Sequence, residues 1–206
     1  DYIKKLIKLI RKYRAVLIID ECYSDIYYQE IPQGAIKVCE ELGKGLKNIL
    51  IFHSLSKRSN VAGMRSGFVV GDKNIINLFK KIRSYGAPSM PLPIQLASVR
   101  LWNDDEHVYK NINKYKKKIN YANSIFSKYR LYEKPEAGFY LWINVKNGES
   151  FTKKLFKKYY IKVMPGEYLA KGNKKNPGKE YVRVALVENY VTSKFAIDKI
   201  AEVLKC

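Results

Sequence analysis

Three short apolar runs constrain this chain most: VLIID (16–20), NILIF (48–52) and FVV (68–70). Each is rich in β-branched residues and too short for a helix, as strands buried within a sheet are. Helical spacing surrounds them. Ile3, Leu6, Ile7 and Ile10 recur at i, i+3, i+4, i+7 across residues 1–14, and a shorter helical pattern covers 35–42, broken on either side by Pro32, Gly34, Gly43 and Gly45. Helix, strand, helix, strand is the rhythm of an α/β layer. The first helix is expected to start at Asp1; without an initiator methionine or room for a leader, the chain reads as part of something longer.

The second and third runs bracket the stretch HSLSKRSNVAGMRSGFVVGD (53–72), which sets Lys57 on a strand-end loop. Partial burial there and a neighbouring cation, Arg65 or Arg58, would lower the lysine's pKa and favour the neutral amine that carbonyl chemistry needs. Ser54, Ser56 and Arg65 add hydroxyls and a planar fork suited to a phosphate. Upstream, VLIID leads into E-C-Y, so Asp20 and Tyr23 fall at a strand's C-terminal edge. Taken singly, Ser-x-Ser-Lys reads as a solvated loop, a strand-ending Asp as a turn or cap residue, and Tyr23 as one of 17 tyrosines. The order Asp20, Tyr23, Ser54, Lys57, Arg65 carries more than its parts.

The remainder continues in helices and short strands. Residues 73–85 resume helical spacing through Ile76, Phe79 and Ile82, and the three prolines of 87–93 predict no regular helix until past Pro93. Helical patterns follow over 94–102 and 107–129. Strands are expected at 137–145 and 181–187, and helices at 151–160, with Phe151, Leu155, Phe156 and Tyr159 inward, and at 193–204. This segregation suggests a small α+β domain. Arg183 interrupts an apolar strand, where a buried guanidinium would need an anionic partner; the plainer reading is an edge arginine facing water.

Composition excludes several classes of function. No apolar run approaches the roughly 20 residues that span a bilayer, and no signal-peptide pattern opens the chain, so a cytoplasmic location and no membrane partner are expected. Cys22, Cys39 and Cys206 are unpatterned and only two histidines, His53 and His107, accompany them, which argues against a metal site. The formal charge of +20 would admit nucleic acid as a partner. The lysines are spread along the chain, however, and Lys114, Lys116, Lys117 and Lys118 are expected opposite a helix's apolar stripe. No RNA- or DNA-binding signature accompanies them, so specific nucleic-acid binding is not expected.

The string S-L-S-K, with an arginine eight residues on inside G-M-R-S-G, resembles the cofactor-lysine signature of fold-type I pyridoxal 5′-phosphate (PLP) enzymes, in particular class I/II aminotransferases. The longer HSLSKRSNVAGMRSGF is similar to the version in bacterial succinyldiaminopimelate aminotransferases. The Asp20–Tyr23 spacing, Gly138-Phe139 and Met164-Pro165-Gly166 extend the resemblance over most of the chain. It implies an α/β fold: the C-terminal portion of the large PLP-binding domain of fold-type I aminotransferases (1–93), a bridging helical stretch (94–130) and the small α+β C-terminal domain (131–206).

The resemblance also implies roles. Lys57 would be the Schiff-base lysine and proton shuttle, Asp20 would hold the pyridine nitrogen protonated, and Tyr23 would bond the ring oxygen. Ser54, Ser56 and Arg65 would hold the phosphate, and Arg183 the substrate carboxylate. The implied reaction is transfer between an amino acid and a 2-oxo acid, N-succinyl-diaminopimelate with 2-oxoglutarate in lysine biosynthesis, by a homodimer whose crossing segment would be 87–93. Family features expected before Asp1, a phosphate loop, a ring-stacking aromatic and an asparagine, are not in the sequence. These residues alone are therefore expected to bind PLP weakly and to transaminate poorly or not at all. The rivals are another PLP chemistry, a β-lyase or decarboxylase, and a basic nucleic-acid-binding module without catalysis.

Overall fold

The computed structural model describes residues 2–43, 45–87, 89–129, 132–171 and 176–205. The chain divides into two compact units, Asp1–Lys110 and Asn111–Cys206. The expected start at Asp1, the third cysteine, Cys206, and Pro88 of the 87–93 segment lie outside the described residues.

In the first unit, α1 (Tyr2–Tyr13) leads into β1 (Leu17–Asp20), and α2 (Ala35–Glu41) into β2 (Ile49–Ser54). A single-turn helix, α3 (Leu55–Arg58), and a loop return the chain to β3 (Gly67–Gly71). The strand order is β1-β2-β3, with β1 and β2 parallel and β3 antiparallel. Register sets Asp20 beside Phe52 and Ser54 opposite Gly67. Gly67 is required there, because a Cβ would collide with the His53 carbonyl.

Alternation along β1 and β2 decides what each sheet face carries. Ile49 and Ile51 join Ile7 and Ile10 of α1 and Ala35, Val38 and Cys39 of α2 in one buried cluster, with Leu17 and Ile19 packed against it. Burying each such aliphatic chain contributes about 1.5–3 kcal/mol. Asp20, Phe52 and Ser54 belong to the other face, so α1 and α2 secure the sheet without covering them.

Two helices depart from expectation. α4 (Lys73–Gly86) carries the predicted stripe, and Phe79 meets Phe52 edge to face at 6.4 Å, yet no residue of α4 is buried and Ile82 is 68% exposed. Spacing guarantees an apolar stripe, not a partner to cover it. α5 (Leu92–Trp102) begins before Pro93, not after it. A proline in the first turn of a helix loses no intrahelical hydrogen bond.

The helix α6 (Glu106–Phe126) runs on into the second unit, followed by β4 (Tyr140–Asn144), α7 (Gly148–Tyr159), β5 (Met164–Pro165), β6 (Tyr181–Ala185) and α8 (Tyr190–Leu204). The strand order β4-β6-β5 is antiparallel throughout. Leu141, Ile143, Val182 and Val184 are buried on one face, as are Leu155 of α7, Ile197 and Ile200 of α8, and Ile119 and Phe126 of α6. Tyr140, Trp142, Tyr181 and Arg183 line the opposite face by alternation.

Two side chains correct the sequence reading here. Phe156, expected inward, is 41% exposed. Lys118, expected on the solvent face, is 5% exposed: its Nζ donates to the carbonyls of Leu186 and Glu188 and lies 4.7 Å from the Tyr115 ring centroid. Its position three residues after Tyr115 puts it beside the apolar stripe, where two backbone acceptors replace its water. No helix among the described residues is long and apolar enough to cross a membrane.

Candidate active site

β1 and β2 run parallel, so their C-terminal ends emerge side by side, and each opens into a turn that carries reactive groups. The turn after β1 is closed by the Ser24 amide donating to the Glu21 carbonyl and the Ile26 amide to that of Tyr23, both at 3.0 Å. The turn after β2 is α3. Ser54 is its N-cap, accepting the Ser56 amide at 3.0 Å, while its Oγ lies 2.8 Å from Ser56 Oγ and 3.2 Å from the Ser66 carbonyl. Leu55 and Arg58, three residues apart, are the buried face of this single turn. Lys57 stands between them on the half-exposed side, its Nζ 5.8 Å from the Tyr23 ring centroid.

The Asp20 carboxylate accepts the Cys22 amide at 2.9 Å and also the Cys22 thiol, and these bonds, with some help from His53, hold its pKa below the usual carboxylate range. The thiol pays the counterpart: burial first, then the Asp20 carboxylate, push Cys22 up to about 11, with the Lys57 charge pulling the other way. Cys22 thus touches the acid and senses the amine. Next to it, Glu21 pairs with His53 across 3.0 Å and accepts the Ala35 amide at 2.7 Å, capping α2 from outside. The His53 bond, ahead of any other cause, lowers the Glu21 pKa. The His53 ring stacks on Phe68 at 5.0 Å, which fixes its plane.

The structure therefore brings Asp20, Tyr23, Ser54, Ser56 and Lys57 to one end of one sheet. Arg65 stands on the following loop in the left-handed region at φ 51°, with Nη1 donating to the Ala62 carbonyl at 2.9 Å; the next residue, Ser66, receives the Leu55 amide. Arg58, read as a cation acting on Lys57, instead pairs with Asp25 at 3.0 Å and Asp105 at 2.5 Å. Arg183 belongs to the second unit. It is half-buried, not sunk in the core, and its guanidinium lies 4.5 Å from the Tyr140 ring centroid on the face opposite Val182 and Val184.

Sequence reasoning missed Cys22, Glu21 and Asp25 as contributors. Each sits within five residues of Asp20, the one signal available. Among the described residues no group of three or more His, Cys, Asp or Glu could hold a metal ion.

The donor set suits PLP. An ionised carboxylate matches a pyridinium nitrogen, a primary amine an aldehyde carbon, a phenol a ring oxygen, and paired hydroxyls a phosphate.

Comparison with known proteins agrees. The family model "Aminotransferase class I and II" matches residues 1–194. An aminotransferase structure from Neisseria meningitidis superposes with a TM-score of 0.92 at 37% identity, covering 98% of this chain and 52% of that one. The aminotransferase AspB from Helicobacter pylori gives 0.90 at 35%, covering 98% and 53%. An LL-diaminopimelate aminotransferase from Natranaerobius thermophilus is 30% identical over 98% of this chain and 52% of its own length. The chain thus spans about half the length of the curated relatives it matches. On fold and sequence together, it belongs to the class I and II aminotransferases, a PLP-dependent family.

Proposed function

We propose that the protein carrying these residues transfers an amino group from an amino acid to a 2-oxo acid. The observation carrying this reading is the convergence of Lys57, Tyr23 and Asp20 at the C-terminal ends of β1 and β2. PLP supplies an electron sink that stabilises the carbanion left when an α-proton departs.

The chain's own residues do the rest. Lys57 would hold the cofactor through its amine and would carry the proton of the substrate α-carbon. Asp20, whose carboxyl Cys22 holds below the usual range, would pair with the ring nitrogen. Tyr23 would donate to the ring oxygen, and Ser54, Ser56 and Arg65 would hold the phosphate. Arg183 receives the substrate carboxylate, its planar fork resting on Tyr140.

For the substrate, we propose N-succinyl-diaminopimelate with 2-oxoglutarate as acceptor, in lysine biosynthesis. The named diaminopimelate relative, at 30% identity, supports the diaminopimelate part of that reading. A homodimer is proposed from the resemblance, with residues 87–93 as the segment crossing between subunits.

The test is a half-reaction. The full-length protein with PLP and one candidate amino acid at a time is assayed for the matching 2-oxo acid by mass spectrometry, alongside Lys57→Ala. Release of the oxo acid with no ammonia, lost in Lys57→Ala, is expected. Ammonia with pyruvate would mean a lyase, and carbon dioxide a decarboxylase. Salt-sensitive retention on single-stranded RNA, with no reaction, would favour the basic binding module.

A further inference from the structure

Arg58 is buried, 7% exposed, although arginine is almost never sunk so far without partners. Its partners come from two separate places. Nη1 donates to Asp25 Oδ1 at 3.0 Å, and Nη2 to Asp105 Oδ1 at 2.5 Å. The guanidinium lies 5.5 Å from the Trp102 ring centroid. Asp25 sits two residues after Tyr23 on the turn that follows β1; Asp105 follows α5. A second tie runs parallel to the first: Ser59 Oγ lies 2.8 Å from His107 Nε2, whose Nδ1 is 2.9 Å from Asp104 Oδ2.

Lys57 is therefore held from both sides. Leu55, fully buried, anchors the start of α3, and Arg58 anchors its end. A helix of four residues, closed at its end by the Ser59 amide to the Leu55 carbonyl, cannot hold a direction by itself. Arg58 ties that turn to the one carrying Tyr23, and so sets how the amine and the phenol ring face each other.

We propose that Arg58 is a positioning residue for Lys57, acting through its ion pair with Asp25, and that Asp105 is the lesser support. Asp25 is the deeper carboxylate, its side chain 34% exposed against 69% for Asp105, so its pair is the less screened. The inference rests on Lys57 being the PLP-binding amine. A planar fork reaching two carboxylates at once also explains why lysine would be a poor replacement.

The test reads the direction of Lys57 rather than turnover. The full-length protein is mixed with sub-stoichiometric PLP, reduced with borohydride, digested, and the labelled lysines are quantified by mass spectrometry. Labelling of Lys57 is expressed relative to surface lysines such as Lys110 and Lys153, which serve as internal controls. In the parent, Lys57 is expected to dominate. In Asp25→Asn, which keeps the side chain's shape, that preference is expected to fall on the order of tenfold, as loss of orientation costs a reacting group. Arg58→Lys is expected to fall less than Arg58→Met, and Asp105→Asn to stay close to the parent.

Thermal melting accompanies each variant, and only those that melt cooperatively are compared. Should Arg58→Met fail to fold, Asp25→Asn and Arg58→Lys carry the comparison. Folded variants that keep the parent's preference for Lys57 would overturn the role of Arg58 and leave the PLP reading standing. A parent in which Lys57 is labelled no faster than surface lysines would instead overturn the PLP reading itself.

Discussion

The Lys57 amine faces the Tyr23 ring across 5.8 Å, although 34 positions separate the two in the chain. Parallel pairing of β1 and β2 makes this meeting possible, since both residues follow the same end of the sheet. Under the proposed function, Lys57→Ala in the full-length protein is expected to abolish amino transfer. Tyr23→Phe keeps the ring beside the amine and removes only the hydroxyl. It should weaken PLP binding by about tenfold or more, the value of one hydrogen bond to a charged or polarised group. Titration of PLP absorbance in both variants checks this.

Arg65 separates structure from function because its backbone already disfavours a side chain. At φ 51° a non-glycine residue costs about 1–2 kcal/mol. Arg65→Gly should therefore leave the melting temperature unchanged or raised, even though the bond to the Ala62 carbonyl is lost. PLP affinity should fall about ten- to a hundredfold if the guanidinium holds the phosphate, as loss of a charge-assisted bond implies. A melt and a binding titration on one sample decide it.

Arg183→Lys keeps the charge and loses the fork. The expected outcome is a Michaelis constant for the amino acid raised on the order of tenfold or more, with a smaller change in turnover, the pattern of weakened ground-state binding. Steady-state kinetics at saturating 2-oxo acid would show it. A fall in turnover with the Michaelis constant unchanged would place Arg183 elsewhere in the reaction.

Glu21 predicts a pH dependence. Its pKa is lowered in the folded protein, chiefly by His53, so its contribution to stability is complete above the ordinary glutamate value of 4.5 and is lost as pH falls through the lowered folded value. Glu21→Gln should melt lower than the parent near neutral pH, by about 1.5–3 kcal/mol for charged hydrogen bonds between largely buried partners. The two proteins should converge as the pH falls from 4.5 through the lowered folded value. Melting curves from pH 3 to 7 test this.

Lys118 predicts the opposite limb. Burial lowers its pKa, so the unfolded chain binds the proton more tightly and stability should rise with pH between the lowered folded value and 10.5. Lys118→Met removes that rise and takes the donor from the Leu186 carbonyl, while the Glu188 carbonyl keeps the Ser193 hydroxyl at 3.1 Å. A loss of about 1–3 kcal/mol for the stranded acceptor is expected in denaturant titrations.

Much of the candidate site was legible in the sequence because its parts are local. Asp20 and Tyr23 end one apolar run, Ser54 and Lys57 end another, and strand-end turns place such residues together once the two runs pair in parallel. Where the reading failed, the deciding contact was remote. Arg58 looked like a cation free to act on Lys57, but its carboxylate partners stand 33 and 47 positions away. Lys118 looked like one more surface lysine, until carbonyls 68 and 70 positions on took it out of water.

Hydrophobic period, which acts within a few residues, was enough to determine the α/β character and the order of elements, and the string around Lys57 carried the family resemblance. Only the tertiary structure decided which charges are buried, which face of β6 carries Arg183, and how Cys22, Glu21 and Arg58 surround Asp20 and Lys57. The physical reason is that a charge's environment depends on groups brought near by folding, and periodicity carries no information about those.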